Sequence, residues 1–164
     1  MGGAVVKARY GRGEGAIGAA KAHVRYMAHR PDPWGNVPYR ELWSADERVD
    51  KRGAYDALDR AGAAGSYVYR LVLSPDPREQ DADQDLDLRA WSAATMDEAA
   101  AAHPGLRWFA TEHHDQDHRH VHVVALSRQR FDVDDFRAMR RAADDNAREQ
   151  LRQRERDQVL DRDR

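Results

Sequence analysis

Residues 106–128 read LRWFATEHHDQDHRHVHVVALSR and combine two apolar runs with five histidines. The runs flank the polar triplet DQD, a pattern that predicts an antiparallel β-hairpin with a loop slightly longer than a tight turn. Alternate residues of a strand share a face, so His118, His120 and His122 point one way while the valines at odd positions point the other. The stretch therefore predicts strands with one apolar face and one histidine-bearing face.

The rest of the sequence predicts further strands and helices around this hairpin. Tyr67–Leu73 is rich in aromatic and β-branched residues, which favour a strand. Apolar residues recur at helical spacing over 16–29, and the prolines and glycine of HRPDPWGNVP end that helix. Similar reasoning predicts a strand within 3–11, a helix over 51–62 with Gly62 and Gly65 as stops, helices near 88–99 and from residue 133, a charged helical tail beyond residue 148, and an ambiguous segment at 39–49 that could hold a short strand.

Together these elements predict one α/β (α+β) domain built on a central antiparallel sheet. Helices are expected on one face of the sheet and a metal-binding histidine cleft on the other. Residues 1–130 form the predicted core, and residues 131–164 form a C-terminal helix and charged tail of the same domain.

Cysteine is absent from the 164 residues, so a metal site here has to use histidine and carboxylate ligands. No apolar run reaches the roughly 18 residues of a transmembrane candidate, and the N-terminal segment lacks the apolar core of a secretory signal. We therefore expect a soluble, cytoplasmic protein that has no membrane partner.

Charge is distributed unevenly along a chain whose formal net charge is −2. Residues 1–30 carry six basic side chains against one acid, a local charge of +5, whereas residues 76–98 carry eight acids against two arginines, a local charge of −6. A basic N-terminal face suits phosphate groups, although solvated surface patches explain the same asymmetry.

The hairpin histidines have the spacing of a metal site. If the two strands are antiparallel, His113 lies across the hairpin from His120 and His122, within about 5 Å between Cβ atoms. His114 is then expected to point to the opposite face or into the turn. Three neutral imidazoles suit Mn, Zn, Ni or Co better than Mg, and three protein ligands are typical of an open metal site. The alternative to a metal site is that the histidines form a polar edge of the sheet, or a surface cluster that binds no fixed metal.

The first predicted helix carries a second set of polar residues. His23, Tyr26 and Arg30 stand at positions i, i+3 and i+7 of AKAHVRYMAHR and so share one stripe of the helix. Taken by itself, a tyrosine in such a stripe is most often a half-buried packing residue.

Three segments resemble motifs of the HUH endonucleases of the relaxase type, in the branch of plasmid mobilisation and T-DNA border nucleases. HHDQDHRHVHVV is similar to the histidine motif, AKAHVRYMAHR to the helix that carries the nucleophilic tyrosine, and YRLVLSPDP to the middle motif, a strand that ends in Ser-Pro. The segments stand in the family's order and span most of the first 127 residues.

The resemblance implies a role for each matching residue. It makes Tyr26 the nucleophile and Asp115 the acidic residue that orients a ligand or takes the tyrosine proton. Two positions depart from the family's pattern. Arg119 stands where the family usually has a proline, and residues 125–127, ALS, stand where the corresponding strand of the family more often ends with Asn. The resemblance implies metal binding by His113, His120 and His122, and from their place in the basic segment Arg25 and Arg30 are candidates for DNA phosphate contacts.

The expected function is that of a metal-dependent DNA nickase and strand transferase in conjugation and plasmid mobilisation. The resemblance implies a 5′-phosphotyrosine intermediate formed on single-stranded DNA at an origin of transfer, with Mn or Mg in the reaction, Zn, Ni or Co as possible ions, and accessory mobilisation proteins as possible partners. All six tyrosines precede His113, which is the chain order of relaxases rather than of replication initiators.

Alternatives to this function stay open at this point. The chain could be a metal-dependent phosphoester hydrolase in which Tyr26 only packs, or a DNA-binding relative that does not cut. His23, one helical turn from Tyr26, is a rival nucleophile. Trp34, Trp43 and Trp108 could stack an unpaired base, although each is also a natural core residue.

Overall fold

The computed structural model describes residues 2–37, 39–45, 47–115 and 118–164, and of Asp115 it describes the backbone alone. The described residues form six strands and four helices, which confirms the predicted α/β class with an antiparallel sheet. In chain order the elements are β1 (Val5–Arg12), α1 (Glu14–His29), β2 (Leu42–Ser44), β3 (Glu47–Val49), α2 (Lys51–Ala63), β4 (Tyr67–Ser74), α3 (Leu88–Ala102), β5 (Arg107–Asp115), β6 (His118–Ser127) and α4 (Val133–Arg162).

The sheet has the strand order β1-β4-β6-β5-β2-β3, and every pairing in it is antiparallel. The predicted hairpin forms its centre: β5 and β6 pair from Arg107 opposite Leu126 to Asp115 opposite His118. Two residues of the predicted loop, 116 and 117, lie outside the described residues. Strand β6 is therefore an inner strand of the sheet, flanked by β4 on one side and β5 on the other.

Helices cover both faces of the sheet, so the expectation of helices on one face alone is wrong. Helices α1 and α2 pack with Phe109 and Val124 on one face, and α3 and α4 pack with Val121 and Val123 on the other. The physical reason lies in the run VHVVALS of β6, where apolar residues occupy both odd and even positions beyond His122. A strand of that kind buries both faces.

The histidine face is therefore not a separate open side of the sheet. His120 and His122 share their face with Val124, which packs under α1 and α2. The cluster lies at the end of that face, beside the last turns of α1.

The helix boundaries follow local sequence signals. The side chain of Asp50 caps α2, and Asp132 and Asp135 form a reciprocal capping box at the start of α4. Gly65 has a φ of 70° and follows the end of α2, as predicted. Gly62 instead lies inside α2, where a Cβ atom would come within 3.0 Å of the Ile17 side chain, so this glycine lets α1 and α2 approach closely.

Other expectations are met or refined. The ambiguous segment 39–49 contains two short strands, β2 and β3, and α4 continues through the charged tail as an exposed helix. No helix in the described part of the chain is long and apolar enough to cross a bilayer.

Arg119 fixes the acidic loop that precedes α3. Its guanidinium donates two hydrogen bonds to the carboxylate of Asp81, at 2.7 and 3.0 Å, and a third to the carbonyl of Leu86 at 2.8 Å. Asp81 is almost completely buried, and Glu112 adds an outer contact to Arg119 at 3.2 Å. Arg119 therefore ties the acidic loop to β6.

Breaking that buried pair is expected to destabilise the fold. Asp81→Asn keeps the side chain's size but leaves the Arg119 charge buried without its carboxylate, which costs about 3 kcal/mol or more. Glu112→Gln removes only the outer, half-exposed contact and is expected to cost less than about 1 kcal/mol. Denaturant unfolding of both variants measures the difference, and equal losses would show that the buried pair has no special weight.

Candidate metal centre

Three histidines of the hairpin converge on one point. His113 in β5 lies directly opposite His120 in β6, and His122 follows two residues later on the same face. One ring nitrogen from each lies within 4.8 Å of the other two. The side chains are 1%, 5% and 8% exposed, respectively, so the cluster is buried. The structure thus brings together the three predicted ligands closely enough to bind one metal ion.

Burial keeps imidazoles of this cluster neutral. It lowers the pKa of His113 to about 4, an effect that the positive charge of Arg40 reinforces and the hydrogen bond to Met27 partly offsets. Burial also lowers the pKa of His122 to about 2, with further contributions from the neighbouring histidines. Since a neutral imidazole has a lone pair on one nitrogen, both rings are in the form that binds metal at neutral pH.

A hydrogen bond to α1 fixes the orientation of His113. Its Nε2–H donates to the carbonyl of Met27 at 3.0 Å, because a carbonyl can only accept. Met27 lies in the last turn of α1, where carbonyls have no partner within the helix. The lone pair of His113 is therefore on Nδ1, which is its ligand position and now accepts a hydrogen bond from Arg30 Nη1 at 3.4 Å. The bond from Nε2 to a carbonyl is the support that metal-binding histidines commonly have.

The other two rings also fit a divalent ion. Nε2 of His120 and Nε2 of His122 lie 3.1 Å apart. Nitrogens about 2.1 Å from one ion, at angles between a right angle and the tetrahedral value, are separated by about 3.0–3.4 Å. Within the described residues, the buried Nδ1 of His122 has no hydrogen-bond partner. Because buried polar atoms are normally hydrogen-bonded, hydrogen bonding by itself does not explain why this ring is buried here.

Tyr26 lies beside this cluster at the end of α1. Its ring is edge-on to His113 at 5.6 Å and to His122 at 6.1 Å between centroids, and the side chain is 45% exposed. The ring of His23 stacks beside it at 5.9 Å, and the Arg30 guanidinium lies 5.7 Å from the Tyr26 ring centre. The stripe predicted on the helix thus meets the histidines predicted on the hairpin.

Positive charge surrounds the tyrosine and His113. Arg30 Nη1 lies 3.4 Å from Nδ1 of His113. Arg40, which the sequence reasoning did not identify, donates a hydrogen bond to the backbone carbonyl of Arg30. Burial lowers the pKa of Arg40, and the charges of Asp32 and Arg30 act on it in opposite directions. In the sequence, Arg40 is a basic residue in the ambiguous segment 39–49, and no motif or spacing there indicates that it lies near the histidines.

Other predicted residues lie at different distances from the cluster. Arg25 is exposed on α1, and no described contact joins it to the histidines. His114 faces away, with its ring 5.8 Å from that of Trp34, as predicted. His118 is exposed, and its ring centre lies 5.8 Å from that of His120. The side chain of Asp115 lies outside the described residues.

Of the tryptophans considered for base stacking, Trp43 and Trp108 are core residues. Both belong to the cluster beneath α3 and α4. Trp34 is 72% exposed and is therefore the one of the three that has a free face.

No protein-family model, curated protein or solved structure matches this chain. The chemistry of the site therefore follows from its own residues.

Removal of one histidine tests the metal centre. His122→Ala is expected to weaken Mn²⁺ or Zn²⁺ binding by at least about 100-fold. Removal of a residue that only supports a metal ligand costs up to about 100-fold in affinity, and removal of a ligand itself should cost at least as much. Isothermal titration calorimetry measures the change. His118→Ala is the matched control, because it deletes an exposed histidine of the same strand. Unchanged metal affinity in His122→Ala would remove the proposed centre.

Proposed function

We propose that this protein is a metal-dependent endonuclease and strand transferase of the relaxase type, with an HUH-like core at residues 1–130. It nicks single-stranded DNA at an origin of transfer during conjugation or plasmid mobilisation, where accessory mobilisation proteins are candidate partners. The observation that carries the proposal is the convergence of Tyr26 with His113 and His122. A half-exposed phenol beside a buried histidine cluster is positioned to react, whereas a packing tyrosine has no need of these neighbours.

The three histidines are the proposed ligands of one divalent ion, with Mn²⁺ or Mg²⁺ in the reaction and Zn²⁺, Ni²⁺ or Co²⁺ also compatible with the donor set. When bound, such an ion would neutralise charge on the oxygens of the scissile phosphate. The chain's own contribution is to hold three imidazoles in place before the substrate arrives.

Tyr26 is the proposed nucleophile. Its phenol oxygen forms a bond to the phosphorus, the bond between phosphorus and the 3′ oxygen breaks, and the 3′ oxygen takes a proton. The product is a 5′-phosphotyrosine and a free 3′-hydroxyl. Because one phosphodiester replaces another, the 3′-hydroxyl of a strand can attack the phosphotyrosine and rejoin DNA without an energy source.

The neighbouring residues bind and orient. Arg30 lies over the Tyr26 ring and next to His113, so its charge faces the phosphate that Tyr26 would attack. Arg40 holds the backbone of Arg30 and adds positive charge beside His113. His23 stacks on Tyr26 and limits its rotation. Asp115, from the motif, is the proposed acceptor of the tyrosine proton, and Arg25 is a proposed outer phosphate contact.

Tyr26→Phe tests the nucleophile. The change removes only the phenol oxygen, so folding, metal binding and DNA binding should stay close to those of the wild type. Nicking of labelled single-stranded DNA with Mn²⁺ should be lost, together with the covalent protein–DNA species. A random-sequence pool of strands removes any dependence on the unknown target, and denaturing gels detect the adduct.

Two other mechanisms give different results in the same assay. If His23 attacks, the adduct survives Tyr26→Phe, disappears in His23→Ala and is labile to acid, because it is a phosphoramidate. A hydrolase without a covalent intermediate cuts with Tyr26→Phe and forms no adduct in any variant. Wild-type levels of nicking and covalent labelling in Tyr26→Phe would contradict the proposed role.

A further inference from the structure

A groove lined by positive charge runs from the histidine cluster towards the edge of the sheet. Lys7 and Arg9 of β1, Arg70 of β4, and the rings of His23 and His122 line it. The groove has a volume of about 320 Å³. We call it the cationic groove. It has no acidic side chain in its lining, although the chain as a whole has more acids than bases.

Strand register places these cations on the histidine face. Lys7 pairs with Val72, and Val72 pairs with His122, so all three side chains point to the same side of the sheet. Arg9 pairs directly with Arg70, two residues further along the same strands. Because neighbouring strands are about 4.8 Å apart, β1 lies about 10 Å from β6. This distance is longer than the step between successive phosphates of a single strand of DNA, so it corresponds to between one and two nucleotides.

Arg9 and Arg70 are like charges that stand directly opposite each other on neighbouring strands. Like charges directly opposite each other on neighbouring strands repel. In the described part of the chain no carboxylate forms an ion pair with either arginine or with Lys7, whereas Lys21 and Arg119 have acidic partners.

Protection of the sheet edge does not explain the whole arrangement. Charged residues on an edge strand discourage pairing with other chains, and β1 is an edge strand, so Lys7 and Arg9 have that alternative role. Arg70 does not have this alternative role, because β4 is an inner strand that lies between β1 and β6. Edge protection therefore leaves a half-buried arginine, directly opposite another arginine, without an explanation.

We propose that the cationic groove binds the phosphates of the DNA strand next to the phosphate held at the histidine cluster. Arg9 and Arg70 clamp one phosphate between them, and Lys7 contacts the strand as it passes towards the histidines. The groove thereby fixes the direction in which the strand crosses the site. This inference rests on the proposed function for the identity of the anion.

Binding without cleavage tests the groove. Fluorescence anisotropy with a single-stranded oligonucleotide, in EDTA and at several salt concentrations, measures affinity separately from metal and chemistry. Arg70→Gln and Lys7→Gln should each weaken binding several-fold and lower the slope of log affinity against log salt by about 0.7 per lost phosphate contact. Arg141→Gln, an exposed arginine of α4 on the opposite face, is the matched control and should change neither quantity beyond a small general effect.

Thermal unfolding supplies a second measurement that does not depend on DNA cleavage. Without DNA and at low salt, Arg70→Gln should unfold at a higher temperature than the wild type, because the like-charge pair is gone. The oligonucleotide should stabilise the wild type more than it stabilises Arg70→Gln. If inorganic phosphate at the same phosphate concentration stabilises the wild type equally, the groove is a site for free anions and the proposal is overturned.

The outcomes separate this inference from the proposed function. If the groove variants bind DNA with the same affinity as Arg141→Gln, the groove proposal is overturned. The role of Tyr26 is then unaffected. Weaker binding by the groove variants, in a protein whose wild type forms no covalent adduct, supports the groove and contradicts the nuclease. A wild type that binds no single-stranded DNA overturns both.

Discussion

The register that sets His113 opposite His120 determines the rest of the site. Side chains alternate across a strand, so a slip of one residue between β5 and β6 would turn the histidines of one strand to the other face. The apolar residues beyond His122 hold the register because they are buried on both faces under two pairs of helices. The same burial that stabilises the centre of the sheet lowers the pKa values of His113 and His122 and keeps these two imidazoles neutral.

The hydrogen bond from His113 to the carbonyl of Met27 joins that hairpin to α1. It satisfies a carbonyl in the last helical turn and leaves the other nitrogen of His113 facing the cluster. Tyr26 lies in the last turn of α1 and Arg30 directly follows the helix, so their approach to the histidines follows from this docking. The arrangement has a cost, since Nδ1 of His122 is buried without a hydrogen-bond partner in the described structure. Such costs are typical of sites kept for function rather than for stability.

Much of this could be predicted from local patterns. Strand alternation identified the hairpin and the three histidines, and helical spacing identified the stripe of His23, Tyr26 and Arg30. The distribution of helices could not be predicted in the same way, because the run beyond His122 allows burial on either face or both. Contacts between distant segments were also missed. Arg40 reaches the site from a loop, and the opposition of Arg9 and Arg70 depends on how β1 and β4 pair.

A metal centre and a reactive tyrosine that form one site should yield a covalent product, and mapping this product tests the arrangement directly. The wild-type protein is incubated with a random-sequence pool of single-stranded DNA and Mn²⁺, digested with nuclease and protease, and its peptides are examined by mass spectrometry. We expect a nucleotide joined through phosphate to Tyr26, and no modified peptide when EDTA replaces Mn²⁺. Modification of another residue, equal modification in EDTA, or cleaved DNA without any modified peptide would contradict it.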